Sequence, residues 1–245
     1  MRNAANSHGL ARILSKRGVC SRAEAVRWIR AGRVTLNGRV ERDPEARTRE
    51  DHPGIGVDGR MVGDKEAMTY VMLNKPRGLV TSAADELGRD TVFACLEGGG
   101  LPRLVPVGRL DKASEGLLLF TNDTAWADRV TAPDAHVGKT YHVQVKPVPD
   151  GRLLAEMRAG VDVGEGERMA VAAVALVRSG GKTAWLEVEL HEGKNRQIRR
   201  ILDALGMETL RLIRIAIGPL VLGDLAKGKW RHLSDGEVRG IGRSE

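Results

Sequence analysis

The sequence predicts an α+β chain in two domains. A small helix-turn-helix and short-strand domain covers residues 8–64. A larger domain over 65–245 carries a mixed, mainly antiparallel sheet with flanking helices. Three observations lead there. The 245 residues suffice for one medium and one small hydrophobic core. The net charge of +7 is concentrated in one place: residues 8–40 hold Arg12, Lys16, Arg17, Arg22, Arg27, Arg30, Arg33 and Arg39 against the single acid Glu24, so the rest of the chain sums to zero. After the short polar stretch Gly63–Met68, which reads as the joint, short helical stripes give way to longer apolar strands.

The first elements can be read residue by residue. Leu10, Ile13 and Leu14 make a helical stripe that ends at Gly18. Ser21-Arg22-Ala23-Glu24 is a capping box, in which hydroxyl and carboxylate satisfy free N–H groups at a helix start. That helix carries Ala25, Val26 and Ile29 and stops at Gly32. Val34 and Leu36 alternate with polar residues into Asn37-Gly38, a strong hairpin signal. Residues 41–54 form a charged loop, and a second hairpin spans Val57–Val62. In the larger domain, strands are expected at Tyr70–Leu73, Gly116–Thr121, Thr140–Lys146, Trp185–Leu190 and Leu210–Ile217. One strong helix is expected over about Asn195–Leu205, with Ile198, Ile201, Leu202 and Leu205 on one face and Gly206 at its end.

Several function classes fall away. No apolar run approaches the roughly 20 residues a membrane helix needs, and the first six residues lack the apolar region of a secretory signal. Cys20 and Cys95 are too few for a disulfide framework, and the six histidines show no metal-ligand spacing. Gly54-Ile55-Gly56-Val57-Asp58-Gly59 spells a dinucleotide fingerprint, but it follows charged residues and precedes a hairpin rather than a helix. Gly180-Gly181-Lys182-Thr183 lacks the first glycine of a P-loop and reads as a hairpin turn. The expectation is a cytoplasmic monomer without membrane contact, metal or cofactor.

A pI near 9.7 favours a polyanionic partner. Charge runs are usually solvated faces, but eight bases to one acid on two short helices favours RNA phosphates. Ser21-Arg22-Ala23-Glu24-Ala25 and Gly32-Arg33-Val34-Thr35-Leu36-Asn37-Gly38 are the most specific parts of a stretch, Leu10–Val40, that resembles the S4 RNA-binding domain. The resemblance makes Arg12, Arg17, Arg22, Arg27, Arg30 and Arg33 candidate RNA contacts.

Three further stretches carry chemistry. Leu73-Asn74-Lys75-Pro76-Arg77-Gly78 runs from a strand into a basic turn. Gly108-Arg109-Leu110-Asp111 precedes Ser114-Glu115-Gly116-Leu117-Leu118 and places an Arg and an Asp two apart before a buried strand, where alternation sends both to one side. Gly193-Lys194-Asn195-Arg196-Gln197-Ile198-Arg199-Arg200 sets four cations around a helix N-terminus, itself favourable to phosphate. Taken alone, these residues leave Asp111 open to two readings: an acid held among cations in an anionic-substrate site, or an aspartate satisfied by backbone or by Arg109.

Together the stretches resemble the pseudouridine synthases, in particular the family named for ribosomal small-subunit pseudouridine synthase A, which also includes large-subunit enzymes. The likeness covers nearly the whole chain, since many members carry an N-terminal S4 domain. It is weaker at 41–54 and 150–183. It implies the pseudouridine synthase fold and isomerisation of uridine in ribosomal RNA, or in an assembling ribosomal subunit, without a cofactor. It places the catalytic aspartate at Asp111, the motif arginine at Arg109 and the aromatic facing the base at Tyr141. The cation paired with the carboxylate falls on Arg199, with Arg196 as second choice. Lys75, Arg77, Lys194 and Arg200 would hold phosphates. Within the family, Asp111–Leu118, Gly138–Val145 and Thr209–Arg214 look closer to the large-subunit members, with small-subunit RNA the alternative. A non-catalytic S4-type ribosomal RNA-binding or assembly protein would leave the larger body, with Asp111 and Tyr141, without a use. A methyltransferase would need a glycine loop that the chain lacks.

Overall fold

The computed structural model describes residues 7–63, 67–82, 88–132 and 135–241. The expected joint overlaps residues 64–66, and the expectation of no secretory signal concerns residues 1–6; both lie outside the described residues. The chain divides into two compact units. One comprises Met1–Thr69, Gly100–Val105 and Thr121–Thr124; the other comprises Tyr70–Gly99, Pro106–Phe120 and Ala125–Glu245. No helix among the described residues is long and apolar enough to cross a membrane.

The first unit contains β1 (Ser7–Gly9), α1 (Leu10–Lys16), α2 (Arg22–Arg30), β2 (Val34–Leu36), β3 (Arg39–Val40), β4 (Arg47–Arg49), β5 (Ile55–Val57) and β6 (Arg60–Met61). The expected helical stripe buries Leu10, Ile13 and Leu14 with Ile29, Val34 and Ile55. The capping box at α2 is present: the Glu24 amide donates to Ser21 Oγ at 3.2 Å, and the Ser21 amide donates to the Glu24 carboxylate at 2.9 Å. Both hairpins turn through positive φ, at Asn37-Gly38 (52° and 77°) and Asp58-Gly59 (50° and 77°). These are the dipeptides that adopt such turns at least cost. The strand order is β3-β2-β5-β6, with β1 and β4 paired separately.

The second unit is built on a larger sheet. Its strands are β7 (Tyr70–Lys75), β8 (Val105–Val107), β9 (Glu115–Thr121), β10 (Lys139–Lys146), β13 (Ala173–Ser179), β14 (Ala184–Leu190), β15 (Glu208–Ile217), β16 (Leu220–Val221) and β17 (Trp230–His232); β11 (Val161–Asp162) and β12 (Arg168–Met169) pair apart from it. The order is β13-β14-β10-β15-β9-β7-β17, with β8 on β9 and β16 on β15. β9 and β15 run parallel, whereas β10–β14, β10–β15, β13–β14 and β7–β17 are antiparallel. The expected mixed, mainly antiparallel sheet is what forms. All seven residues of β9 are buried, which is why that segment reads as a continuous apolar run without alternation. β10 and β14 bury alternate residues, so Tyr141, Val143, Leu186, Val188, Leu212 and Arg214 share one face by register.

Helices flank this sheet: α3 (Thr124–Thr131), α4 (Gly151–Ala159), α5 (Gln197–Ala204) and α6 (Asp235–Gly240). Only α5 is legible beforehand, and Gly206 (φ 70°) follows it as expected. The others are short and their apolar stripes brief. α3 is held by Trp126, Ala127 and Val130, buried with Leu117, Leu119 and Ile217. α4 has Asp150 as its N-cap, accepting from the Leu153 amide at 2.9 Å. α6 repeats the Ser-x-x-Glu capping box at Ser234 and Glu237. The glycine turn at 180–183 joins β13 to β14, as read.

Candidate active site

The segment between β8 and β9 brings Asp111 to the surface. Gly108 takes a φ of 72°, and the Ser114 amide donates to the Asp111 carbonyl at 3.0 Å, so residues 108–114 are a turn rather than the start of a strand. The alternation argument for Arg109 and Asp111 therefore does not hold. Arg109 is exposed, and among the described residues it makes no ion pair with Asp111, although both line the same cleft. Below the turn, Lys75 is fully buried. Its ammonium donates to the carbonyls of Ser114 (2.8 Å), Asp111 (3.1 Å) and Pro76 (3.2 Å), one acceptor for each N–H. Burial pushes it down to about 8, against the pull of Asp111 and Glu115. The expected RNA contact by Lys75 is corrected here: a side chain used up on three backbone carbonyls cannot reach a phosphate.

Asp111 opens onto a cleft of about 590 Å³, whose lining includes Tyr141, Lys139, Arg196, Arg199, Leu212 and Arg214. Tyr141 is 8% exposed. Arg196 approaches the Asp111 carboxylate, Nη1 to Oδ2 at 3.5 Å, with both side chains more than a third exposed. Arg199, the first choice as carboxylate partner, donates instead to the Ala113 carbonyl at 3.2 Å and stands 9% exposed behind the turn. The second choice, Arg196, is the one in ion-pair contact. Burial lowers the Arg199 guanidinium, Arg196 and Arg77 press the same way, and Asp111 opposes them, so these side chains share one local field.

Arg196 sits at the N-cap of α5 in the left-handed region (φ 49°, ψ 32°), a strained conformation for a residue with a Cβ. Gln197 anchors that corner by donating to the Ala170 carbonyl at 2.8 Å and to Glu192 at 2.6 Å. Lys194 is exposed near Glu167 and Glu192, Arg200 pairs with Glu167 at 2.9 Å, and Arg77 is exposed.

Two features went unread in the sequence. Arg214, on β15, is 4% exposed in the cleft wall. Glu115, on β9, is 2% exposed and accepts from Arg211 (two bonds at 3.1 Å) and Lys227 (2.5 Å). Burial would raise the Glu115 carboxyl, but the two cations outweigh it and hold it below its ordinary range. Only the strand register could have revealed either, since each depends on residues about a hundred positions away.

In the smaller unit, Arg12, Arg27 and Arg30 are exposed, and their side chains have no ion-pair partner among the described residues. Arg22 pairs loosely with Glu45 at 3.5 Å, and Arg33 pairs with Asp58 while lying over the Trp28 ring. Arg17 corrects a second expected RNA contact. It is 7% exposed and donates to the carbonyls of Glu50 and His52, tying the loop to α1.

Residues 69–204 match the family described as RNA pseudouridylate synthase. The chain belongs to that family. Residues 9–51 match the S4 domain. An uncharacterized RNA pseudouridine synthase of Aquifex aeolicus is 37% identical over 93% of this chain and 90% of its own. Ribosomal large subunit pseudouridine synthase B of Bacillus subtilis is 35% identical over 94% of this chain and 93% of its own. A crystal structure of a pseudouridylate synthase superposes with a TM-score of 0.68 at 27% identity, covering 96% of this chain and 99% of that one. The chain is thus a pseudouridine synthase carrying an S4 domain.

Proposed function

We propose that this pseudouridine synthase isomerises uridine in ribosomal RNA of the large subunit, with Asp111 as the catalytic carboxylate. The reaction breaks the N1–C1′ bond, turns the base and forms a C5–C1′ bond, conserving every atom. The chemistry therefore asks for a positioned carboxylate and a pocket, and no group has to be supplied from outside. An ionised aspartate can attack C1′ or C6, or take the 2′ proton. The observation that carries the reading is Asp111 at the mouth of a cleft lined by Tyr141, with Arg196 against its carboxylate and Arg199 behind. The target base must leave its stack to enter, and Tyr141, in the lining of the cleft, would supply the ring that faces it. Arg77, Lys194 and Arg200, outside the cleft floor, suit phosphates that set register. The large-subunit assignment rests on the Bacillus subtilis relative, which covers both chains almost end to end. The S4-like residues 8–64 are proposed to supply RNA affinity and 65–245 the chemistry.

The test is to map pseudouridines in both ribosomal RNAs from a strain lacking this gene, then restore the gene as wild type or as Asp111→Asn. The wild type should restore the missing position, in large-subunit RNA, and the variant should not. Purified Asp111→Asn should bind RNA normally while losing at least about a thousandfold in rate. Restoration by Asp111→Asn would remove Asp111 from its role, and a missing position in small-subunit RNA would overturn the subunit assignment.

A further inference from the structure

Arg214 is the most deeply buried cation in the cleft wall, at 4% exposure, against 9% for Arg199 and side chains 48% and 40% exposed for Arg196 and Lys194. Its Nε donates to the Leu117 carbonyl at 2.8 Å, which fixes the plane of the guanidinium. Among the described residues its two terminal nitrogens have no hydrogen-bond partner, and no carboxylate lies within ion-pair distance. A buried charge left without a partner is costly, so proteins ordinarily pair it. On the other face of the same strand, Arg211 is paired in that way, by Glu115. Arg214 differs in that it faces a cleft instead of an acid.

Its neighbour across the strands identifies what would fill that cleft. Arg214 and Tyr141 are direct register partners on β15 and β10, so their side chains stand side by side on the cleft wall. A flat ring lying against Tyr141 presents its edge to Arg214. A phosphate suits the exposed rim, where Arg196 and Lys194 are solvated, better than an inner wall also formed by Leu212 and Ile217. Resting on the reading of this cleft as the uridine site, we infer that Arg214 recognises the base itself, donating from its terminal nitrogens to a carbonyl oxygen of uracil. If that oxygen is O4, the same contact rejects cytosine, whose amino group there would meet a donor with a donor.

Replacing the carbonyl oxygen by sulfur, a weak acceptor, tests this. The probe is a transcript of the ribosomal RNA segment that the wild type modifies, made with uridine, 2-thiouridine or 4-thiouridine. Wild-type turnover of the uridine transcript is the control for the substrate reading; the Arg214 comparison is separate from it. The wild type should slow by about tenfold or more on one thio transcript. Arg214→Gln should be slow on uridine and indifferent to that sulfur, with RNA affinity within about threefold of wild type and an unchanged salt slope. Arg214→Lys, which keeps the charge but loses the fork, should give the same indifference and serves if the glutamine variant fails to fold. A purely structural arginine would lower the melting temperature without altering the thio effect. An unaltered thio effect in the variants, no effect in the wild type, or weakened RNA binding with a smaller salt slope would each overturn the inference.

Discussion

Asp111 is held by two restraints of different strength. Its backbone carbonyl is gripped by the buried Lys75 ammonium at 3.1 Å, while its carboxylate meets Arg196 at 3.5 Å in solvent. An exposed ion pair contributes about 0–1 kcal/mol, so a ligand entering the cleft would displace Arg196 at little cost. Buried charge-assisted bonds are worth roughly 1.5–3 kcal/mol each, so the turn itself stays put. The carboxylate is thus positioned from below and only lightly covered from above. Gly116 completes this local design. It takes a φ of 99°, and a Cβ there would run into the Arg214 backbone where β9 and β15 pair in parallel. Gly116→Ala should therefore cost at least about 2 kcal/mol from backbone strain and collision together. For a chain of this size that is a melting temperature lower by about 5 °C. An unshifted thermal melt would show that the strand contact is not as tight as described.

Among the elements, the short helix α6 shows how a weak segment is secured. Six residues do not hold a helix by propensity. The Glu237 carboxylate accepts from the Ser234 amide at 2.8 Å and from Arg231 of β17 at 2.6 and 2.9 Å, so one side chain caps the helix and staples it to the edge strand. Arg231 and the Ser234 bonds, against an opposing effect of burial, hold Glu237 at about 2, below its ordinary 4.5. A depressed carboxyl contributes stability that is full above pH 4.5 and is lost as pH falls toward 2. Glu237→Gln should lower the melting temperature at pH 7, by the equivalent of about 0.5–2 kcal/mol. Its difference from wild type should shrink steadily as pH falls from 4.5 to 2. A difference independent of pH in that window would assign the loss to packing rather than charge. α5 illustrates the converse case: it is recognisable by its apolar stripe, yet its decisive feature is the left-handed Arg196 at its start.

For the whole molecule, the charge partition separates two tasks. The body around the cleft is close to balanced, and the excess sits in residues 8–40, where Arg12, Arg27 and Arg30 of the first two helices are exposed without an acid partner among the described residues. Sequence-independent RNA affinity should follow these residues. Replacing all three by Gln in the full chain should reduce the slope of log K against log salt by about two to three, while the rate at saturating RNA stays unchanged. An unaltered slope would mean that the excess charge does not meet phosphate. The two kinds of arginine in this unit explain why composition overstates the contact set: Arg17 is spent on loop carbonyls and Arg33 on Asp58.

The amino-acid sequence by itself determined the class of fold, both hairpin turns, the capping box of α2, the buried strand β9 and the amphipathic α5. Each of these rests on interactions between residues a few positions apart, whose periods and dipeptide signals are written locally. Its motifs also placed Asp111, Tyr141, Arg196 and Arg199 as candidates for one site, and the fold brings all four to one cleft. The tertiary structure alone decided which arginine meets the carboxylate, that Lys75 and Arg17 face inward, and that Arg214 and Glu115 matter at all. Those outcomes depend on strand register and burial between segments 30 to 100 residues apart, as in Lys75 with Asp111 and Arg214 with Leu117. A cation has the same identity in sequence whether it ends in solvent, on a backbone carbonyl or in a cleft. Only the surroundings supplied by distant residues fix its role.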